Sequence, residues 1–242
     1  MRYGIIGDIH SNLEALQAVL QALSLERVDE YLCVGDIVGY GSDPQECIDR
    51  VKERVSMTVA GNHDQAAVDL FPALYFNSYA QKAISWTKKN ISESGKDFLR
   101  PLQLVYQNKD LTLVHGSLIN PGDFKYITEP GALESTFDLL EGNICFIGHT
   151  HTAGIFTQDG TGKRAYQKAG SLEIGKGGKY IVNVGSVGQP RDSDCRASCC
   201  IYDTVTGKVS LKRVDYDVQL ARKKIIERGL PYFLGDRLLS GQ

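Results

Sequence analysis

The sequence predicts an α/β fold, with a partly parallel sheet in its first half and a second, mostly antiparallel sheet after residue 150. Two patterns carry this. Short apolar runs alternate with amphipathic helical stretches over the first 60 residues, and strand-like runs separated by glycine-rich turns follow residue 150. With 242 residues, 42% of them hydrophobic and 23% charged, the chain excludes disorder and can bury a sizeable core. At roughly 150 residues per domain this length fits one elaborate α/β domain. No linker or internal repeat divides it.

Residues 2–7 read as a strand, 12–23 as an amphipathic helix through Leu13, Leu16, Val19, Leu20 and Leu23, and 30–34 as a second strand. Residues 43–54 read as a helix capped by Ser42 or Asp43, with Pro44 in the first turn, where its missing N–H costs nothing. A third strand is expected at 57–60. Strand, helix, strand in this rhythm implies right-handed crossovers and parallel pairing. The stretch 64–101 is helical and aromatic, with Phe71, Tyr75, Phe76, Tyr79 and Trp86, and reads as a helical insertion at about 65–101. Residues 103–107 and 111–115 resemble a hairpin around Asn108-Lys109-Asp110, a helix follows near 131–140, and 144–147 is a short buried strand. Further strands are expected at 153–158, 165–174, 179–184, 198–203 and 208–215, before a helix at 217–228 closes the chain.

Lys and Arg number 27 against 29 Asp and Glu, a net charge of -2, which argues against long nucleic acid or an anionic membrane as partner. No apolar run approaches the roughly 20 residues of a membrane span, and Met1-Arg2-Tyr3-Gly4 does not open a signal peptide, so a cytoplasmic location is expected. Cys33, Cys47 and Cys145 read as packing residues. Cys195, Cys199 and Cys200 lack a second pair at zinc-finger spacing and read as reduced thiols.

All five histidines fall in short polar clusters at the ends of apolar runs: Asp8-Ile9-His10, Asn62-His63-Asp64, His115-Gly116 and His149-Thr150-His151. Gly35-Asp36 repeats the layout without a histidine. Taken singly, each is ordinary turn chemistry. Ligands of open α/β sheets bind beyond the carboxyl ends of strands, however, so residues scattered along the sequence can converge there. Convergence brings together Asp8, His10, Asp36, Asn62, His115, His149 and His151: two carboxylates, one amide oxygen and four imidazoles. That set is too large for one tetrahedral ion and suits two ions about 3.5–4 Å apart sharing a carboxylate. Oxygen and nitrogen donors without thiolate fit Mn, Fe, Zn, Co or Ni better than Ca or Mg.

In order and spacing, Asp8-x-His10, Gly35-Asp36 with Gly39 and Gly41, Gly61-Asn62-His63-Asp64, His115 and Gly148-His149-x-His151 resemble the calcineurin-like metallophosphoesterase superfamily. The later segment Asn183 to Arg191 resembles a motif of its small prokaryotic phosphodiesterase branch. The resemblance implies a single metallophosphoesterase domain over 1–242, a four-layer α/β/β/α sandwich of two facing mixed sheets flanked by helices. It implies Asp8, His10, Asp36 and His151 on one divalent ion, Asp36, Asn62, His115 and His149 on the other, and His63 as a catalytic residue oriented by Asp64.

Two divalent ions, two carboxylates and a bridging hydroxide sum to about +1, a site that welcomes an anionic phosphate. The activity this implies is hydrolysis of small phosphodiesters by attack of that hydroxide. The protein phosphatase alternative is weakened because Asp36 to Gly41 lacks an Asp-Arg-Gly ending and Asp64 stands where Glu is expected. A dinucleoside polyphosphate hydrolase would need a basic cluster that the sequence does not show, and a non-catalytic interaction module would be missing ligands. Arg191 is the candidate phosphate-clamping cation, and Tyr40, Phe124 and Tyr126 follow ligand positions as candidates for stacking on a base or aryl group.

Overall fold

The first three apolar runs form β1 (Arg2–Ile6), β2 (Glu30–Cys33) and β3 (Met57–Thr58), paired in parallel. In the computed structural model residues 1–168 and 170–242 are described. Two crossover helices join these strands. The first, α1 (Leu13–Leu25), is capped by the Asn12 side chain, which accepts from the Ala15 N–H at 3.1 Å, and it buries Leu16, Val19, Leu20 and Leu23. The second, α2 (Pro44–Arg54), starts on proline as expected, but Asp43 makes no side-chain cap. Its carboxylate is instead occupied by the Ser42 hydroxyl at 2.6 Å and the Lys224 ammonium at 2.6 Å.

The aromatic stretch folds as α3 (Asn62–Ala67), a 3-10 turn at Ala73–Tyr75, α4 (Ser78–Asn90) and α5 (Glu93–Leu99). The expected hairpin is β4 (Val105–Gln107) against β5 (Thr112–Val114), followed by α6 (Ala132–Leu139) and β6 (Ile144–Ile147).

After residue 150 come β7 (Gly154–Gln158), β8 (Arg164–Lys168), β9 (Ser171–Glu173), β10 (Lys179–Asn183), β11 (Ala197–Asp203) and β12 (Lys208–Val214). These strands do not make a sheet of their own. One six-stranded sheet runs β3-β2-β1-β11-β12-β9 and the other β4-β5-β6-β10-β7-β8, so each mixes early and late strands. β11 lies antiparallel to β1, with Ile5 opposite Cys200, and β10 lies parallel to β6. The single strand expected over 165–174 is two strands in different sheets, and position 169 between them lies outside the described residues. Nor does the expected last helix close the chain: α7 (Val218–Glu227) is followed by α8 (Tyr232–Asp236) and a 3-10 turn at Arg237–Leu239.

The side-chain alternation of the strands divides the core into layers. Tyr3, Ile5, Leu32 and Val34 of the first sheet meet Leu113, Ile144, Phe146 and Val182 of the second. On the outer face of the first sheet, Ile6, Cys33 and Ile201 pack on Leu16, Val19 and Ile48 of α1 and α2. On the outer face of the second, Val114, Cys145, Ile147 and Ile181 pack against Phe137 of α6. The result is two facing mixed sheets between helical layers. Cys199 and Cys200, adjacent on β11, belong to opposite faces, which prevents both thiols from reaching one ion. Among the described residues no helix is long and apolar enough to cross a membrane.

Candidate metal centre

The polar clusters all follow strands that run parallel within their sheets, β1, β2 and β3 in one and β5 and β6 with β10 in the other. Tight turns at these ends redirect the side chains inward. Asp8, His10, Asp36, His149 and His151 all have left-handed backbone, with φ between 49° and 67°. Asp and His tolerate this region better than most residues, yet each such position costs about 1 kcal/mol or more. The turn after β2 needs a neighbour without a side chain, since a Cβ at Gly61 would collide with the Asp36 carboxylate and backbone nitrogen.

The seven expected ligands are all buried, and six of them form two groups. Asp8, His10, Asp36 and His151 make one, and Asp36, His115 and His149 the other, with the ligand atoms of each group within 4.8 Å of one another. Asp36 belongs to both. Its Oδ2 lies 3.5 Å from His10 Nε2 and 3.3 Å from His115 Nε2, while Asp8 Oδ1 lies 3.2 Å from His151 Nε2. Asn62 Oδ1 is buried with no hydrogen-bond partner.

Hydrogen bonds behind the rings fix which nitrogen faces inward. His10 Nδ1 donates to Val38 O at 3.1 Å, His115 Nδ1 to Val34 O at 2.8 Å and His151 Nδ1 to Gln189 O at 2.6 Å. A carbonyl only accepts, so these contacts place the proton on Nδ1 and the lone pair on Nε2 in each neutral ring. Burial pushes His10 well below the usual imidazole value and lowers His151 as well, so both are neutral. Their Nε2 atoms nevertheless stand 3.0 Å apart, two lone pairs facing each other with no proton between them. In the second group His115 Nε2 stands 3.1 Å from His149 Nδ1. Burial also keeps His149 neutral, whereas the Asp36 carboxylate overcomes burial at His115 and lifts it to about 9. Burial opposes ionisation of Asp36 itself, but His115 and His63 hold it well below the carboxylate range. Facing lone pairs in the first group, two facing imidazole nitrogens in the second, an orphaned amide oxygen beside them and a shared carboxylate fit a cation in each group.

His63 is close by but in neither group. Its ring lies 4.5 Å from Tyr40, 4.6 Å from Phe76 and 4.8 Å from His10, and burial pushes it down to about 4. Its Nδ1 has no hydrogen-bond partner and rests where a side chain at Gly39 would stand. Asp64, expected to orient His63, does not touch that ring nitrogen. Its carboxylate is saturated by the backbone N–H groups of Asp36 at 2.8 Å, Ile37 at 2.8 Å, Val38 at 3.2 Å and Gly61 at 3.1 Å. Asp64 therefore holds the Asp36 turn.

The chain matches the calcineurin-like phosphoesterase superfamily domain over residues 1–207. The chain belongs to the calcineurin-like phosphoesterase superfamily. An uncharacterized protein from Methanocaldococcus jannaschii is 36% identical over 242 residues, 98% of this chain and 97% of that one. The crystal structure of a metallophosphoesterase from Sphaerobacter thermophilus is 35% identical, with a TM-score of 0.88 over 100% of this chain and 99% of that one. A hypothetical protein from Pyrococcus horikoshii shares the fold at 19% identity, with a TM-score of 0.80 over 100% of this chain and 98% of that one.

In this superfamily member the buried cluster opens into a cavity of about 630 Å³, with Asp36, Asn62, His63, His149 and His151 in its wall. Arg191, Tyr40, Phe124 and Tyr126, the other candidates from the sequence, also line it. The Arg191 guanidinium sits 5.6 Å from the Tyr40 ring and donates to Gln189 Oε1 at 3.0 Å, leaving its buried Nε unpartnered. Phe71, Tyr75 and Phe76 also line it and carry no role in the sequence reading. The aromatic density of 71–86 was their signal, but nothing local says that Phe76 turns back onto His63.

Proposed function

We propose that this chain is a phosphodiesterase working with two divalent transition-metal ions, drawn from Mn, Fe, Zn, Co and Ni. Asp8, His10, Asp36 and His151 would hold one ion, and Asp36, Asn62, His115 and His149 the other, with Asp36 shared. The observation that carries the reading is the pair of imidazole nitrogens set face to face in each group on either side of Asp36 Oδ2. Two such ions would supply Lewis acidity toward phosphoryl oxygens and water acidified enough to attack near neutral pH.

The chain's own residues do the rest. The Arg191 guanidinium, in the wall of the cavity, is the group that would bind a non-bridging phosphoryl oxygen. His63, which lines the cavity, offers its ring N–H to the departing alkoxide, neutral in the resting state and gaining proton affinity beside an anion. Phe76 and Tyr40 pack on the ring and exclude water from it. Diesters are favoured because the cavity wall offers only Lys125 and Arg191 as cations among the described residues, against the carboxylates of Asp123 and Glu129. A diester carries one negative charge; monoester dianions and polyphosphates carry more. We place the enzyme in the cytoplasm, acting as one domain on small phosphoesters.

The test compares kcat/KM for p-nitrophenyl phosphate and for a diester with the same leaving group, on metal-reconstituted protein. The diester should be faster. In Arg191→Ala, kcat/KM should fall while metal content stays constant. A clear monoester preference would reassign the enzyme as a phosphomonoesterase.

A further inference from the structure

A second cavity, of about 490 Å³, adjoins the first. Tyr126 and Arg191 line both, so they form the partition between them. The partition stands directly on the metal centre: the Tyr126 ring stacks on His149 at 4.1 Å with 16° between planes, and the Arg191 N–H donates to His151 O at 3.1 Å. Thr150, between those two histidines in sequence, lies in the second cavity's wall.

The chemistry of that wall differs from that of the first cavity. Ile127, Phe156 and Tyr166 give it an apolar and aromatic surface, with the last two rings 4.8 Å apart. The amide of Asn183 is already committed, donating to Gly148 O at 2.8 Å and Thr150 Oγ1 at 2.8 Å and accepting from the Gly185 N–H at 3.0 Å. Among the described residues Arg191 is the only charged side chain in the wall. Such a space suits an uncharged group with an aromatic face and offers little to a second phosphate.

A tetrahedral phosphodiester has two organic arms that diverge from phosphorus, and only one leaves. If the arm beside His63 leaves through the first cavity, the other arm must exit elsewhere. The partition at Tyr126 and Arg191 is where the second cavity meets the centre. We propose that this cavity binds the non-leaving arm of the substrate, an uncharged aryl or nucleoside group, with Tyr126 and Arg191 straddling the phosphoryl group. The inference rests on the diesterase reading above and adds the requirement that the retained arm is recognised.

The test holds the leaving group constant and varies the retained arm. Phenyl p-nitrophenyl phosphate, methyl p-nitrophenyl phosphate and p-nitrophenyl phosphate are compared on the metal-reconstituted parent and on two variants. Thr128→Trp, at an exposed position of the wall, fills the cavity, and Tyr166→Ala removes one of its rings. In both variants the phenyl-to-methyl ratio of kcat/KM should fall, by about tenfold in Thr128→Trp. A ratio equal to the parent's in both variants would overturn the subsite while leaving the diesterase reading standing. A parent that prefers the monoester over both diesters would remove that reading and this inference together.

Discussion

Asp64 Oδ2 accepts a hydrogen bond from the Asp36 backbone N–H at 2.8 Å, and Asp36 Oδ1 accepts one from the backbone N–H of His63, next to Asp64, at 2.9 Å. The two turns that follow β2 and β3 thereby clasp each other, and the shared carboxylate of the centre is aimed by a residue that faces away from it. An amide at position 64 would turn one donor group toward N–H groups that need an acceptor. Asp64→Asn should cost about 3 kcal/mol of stability and reduce metal content. Urea melts together with elemental analysis check both; parental stability and stoichiometry in this variant would dismiss the clasp.

Removal of divalent ions should abolish turnover, and re-addition of Mn or a similar ion should restore it. Asp36→Asn should lose metal from both groups at once, because both share that carboxylate. Retention of two ions per chain with normal turnover in Asp36→Asn would disprove the shared-ligand assignment.

His63→Ala should keep the metal content while kcat falls by roughly 10²- to 10⁴-fold, with a smaller deficit for leaving groups of low pKa. Gly39→Ala provides a second route to the same effect, since its new methyl would occupy the space of the His63 ring edge. Its deficit should show the same dependence on leaving group. If His63→Ala sheds an ion, the residue is a ligand and its proposed role is wrong.

Lys224 on α7 pairs with Glu14 of α1 at 2.7 Å and with Asp43 before α2 at 2.6 Å. Burial lowers its proton affinity, but the two carboxylates overcome this and raise it above the usual lysine value of 10.5. The pairing stabilises the fold fully below that value and is lost as pH rises through the higher folded value. Lys224→Met should therefore lower Tm by a constant amount between pH 6 and about 9, with the gap closing above about 10.5. Melting curves across that range decide it; a gap that widens at high pH would contradict the sign.

The strand-end clusters were legible in the sequence because glycine followed by Asp, Asn or His after an apolar run is a local signal, and the topology needs only parallel pairing to gather them. The pairing of β11 with β1 was not legible. Its register, Ile5 opposite Cys200, joins residues from the two ends of the chain, and nothing in either run names its partner. The role of Asp64 was hidden for a similar reason: next to His63 in sequence, it spends its oxygens on the backbone of a different turn. The capping expectation at Asp43 failed because Lys224, on a distant helix, competes for the same carboxylate.

The left-handed turns at Asp8, His10, Asp36, His149 and His151 also bear on how this protein can be engineered. Glycine at any of them would relax the backbone but would also strip out a buried side chain that ties one turn to another, as Asp36 does through the His63 N–H and Asp8 through the His149 N–H, so the strain of these turns is not a route to heat resistance. A library meant to harden the enzyme should hold these five codons fixed and spend its diversity on the helices outside the sheets.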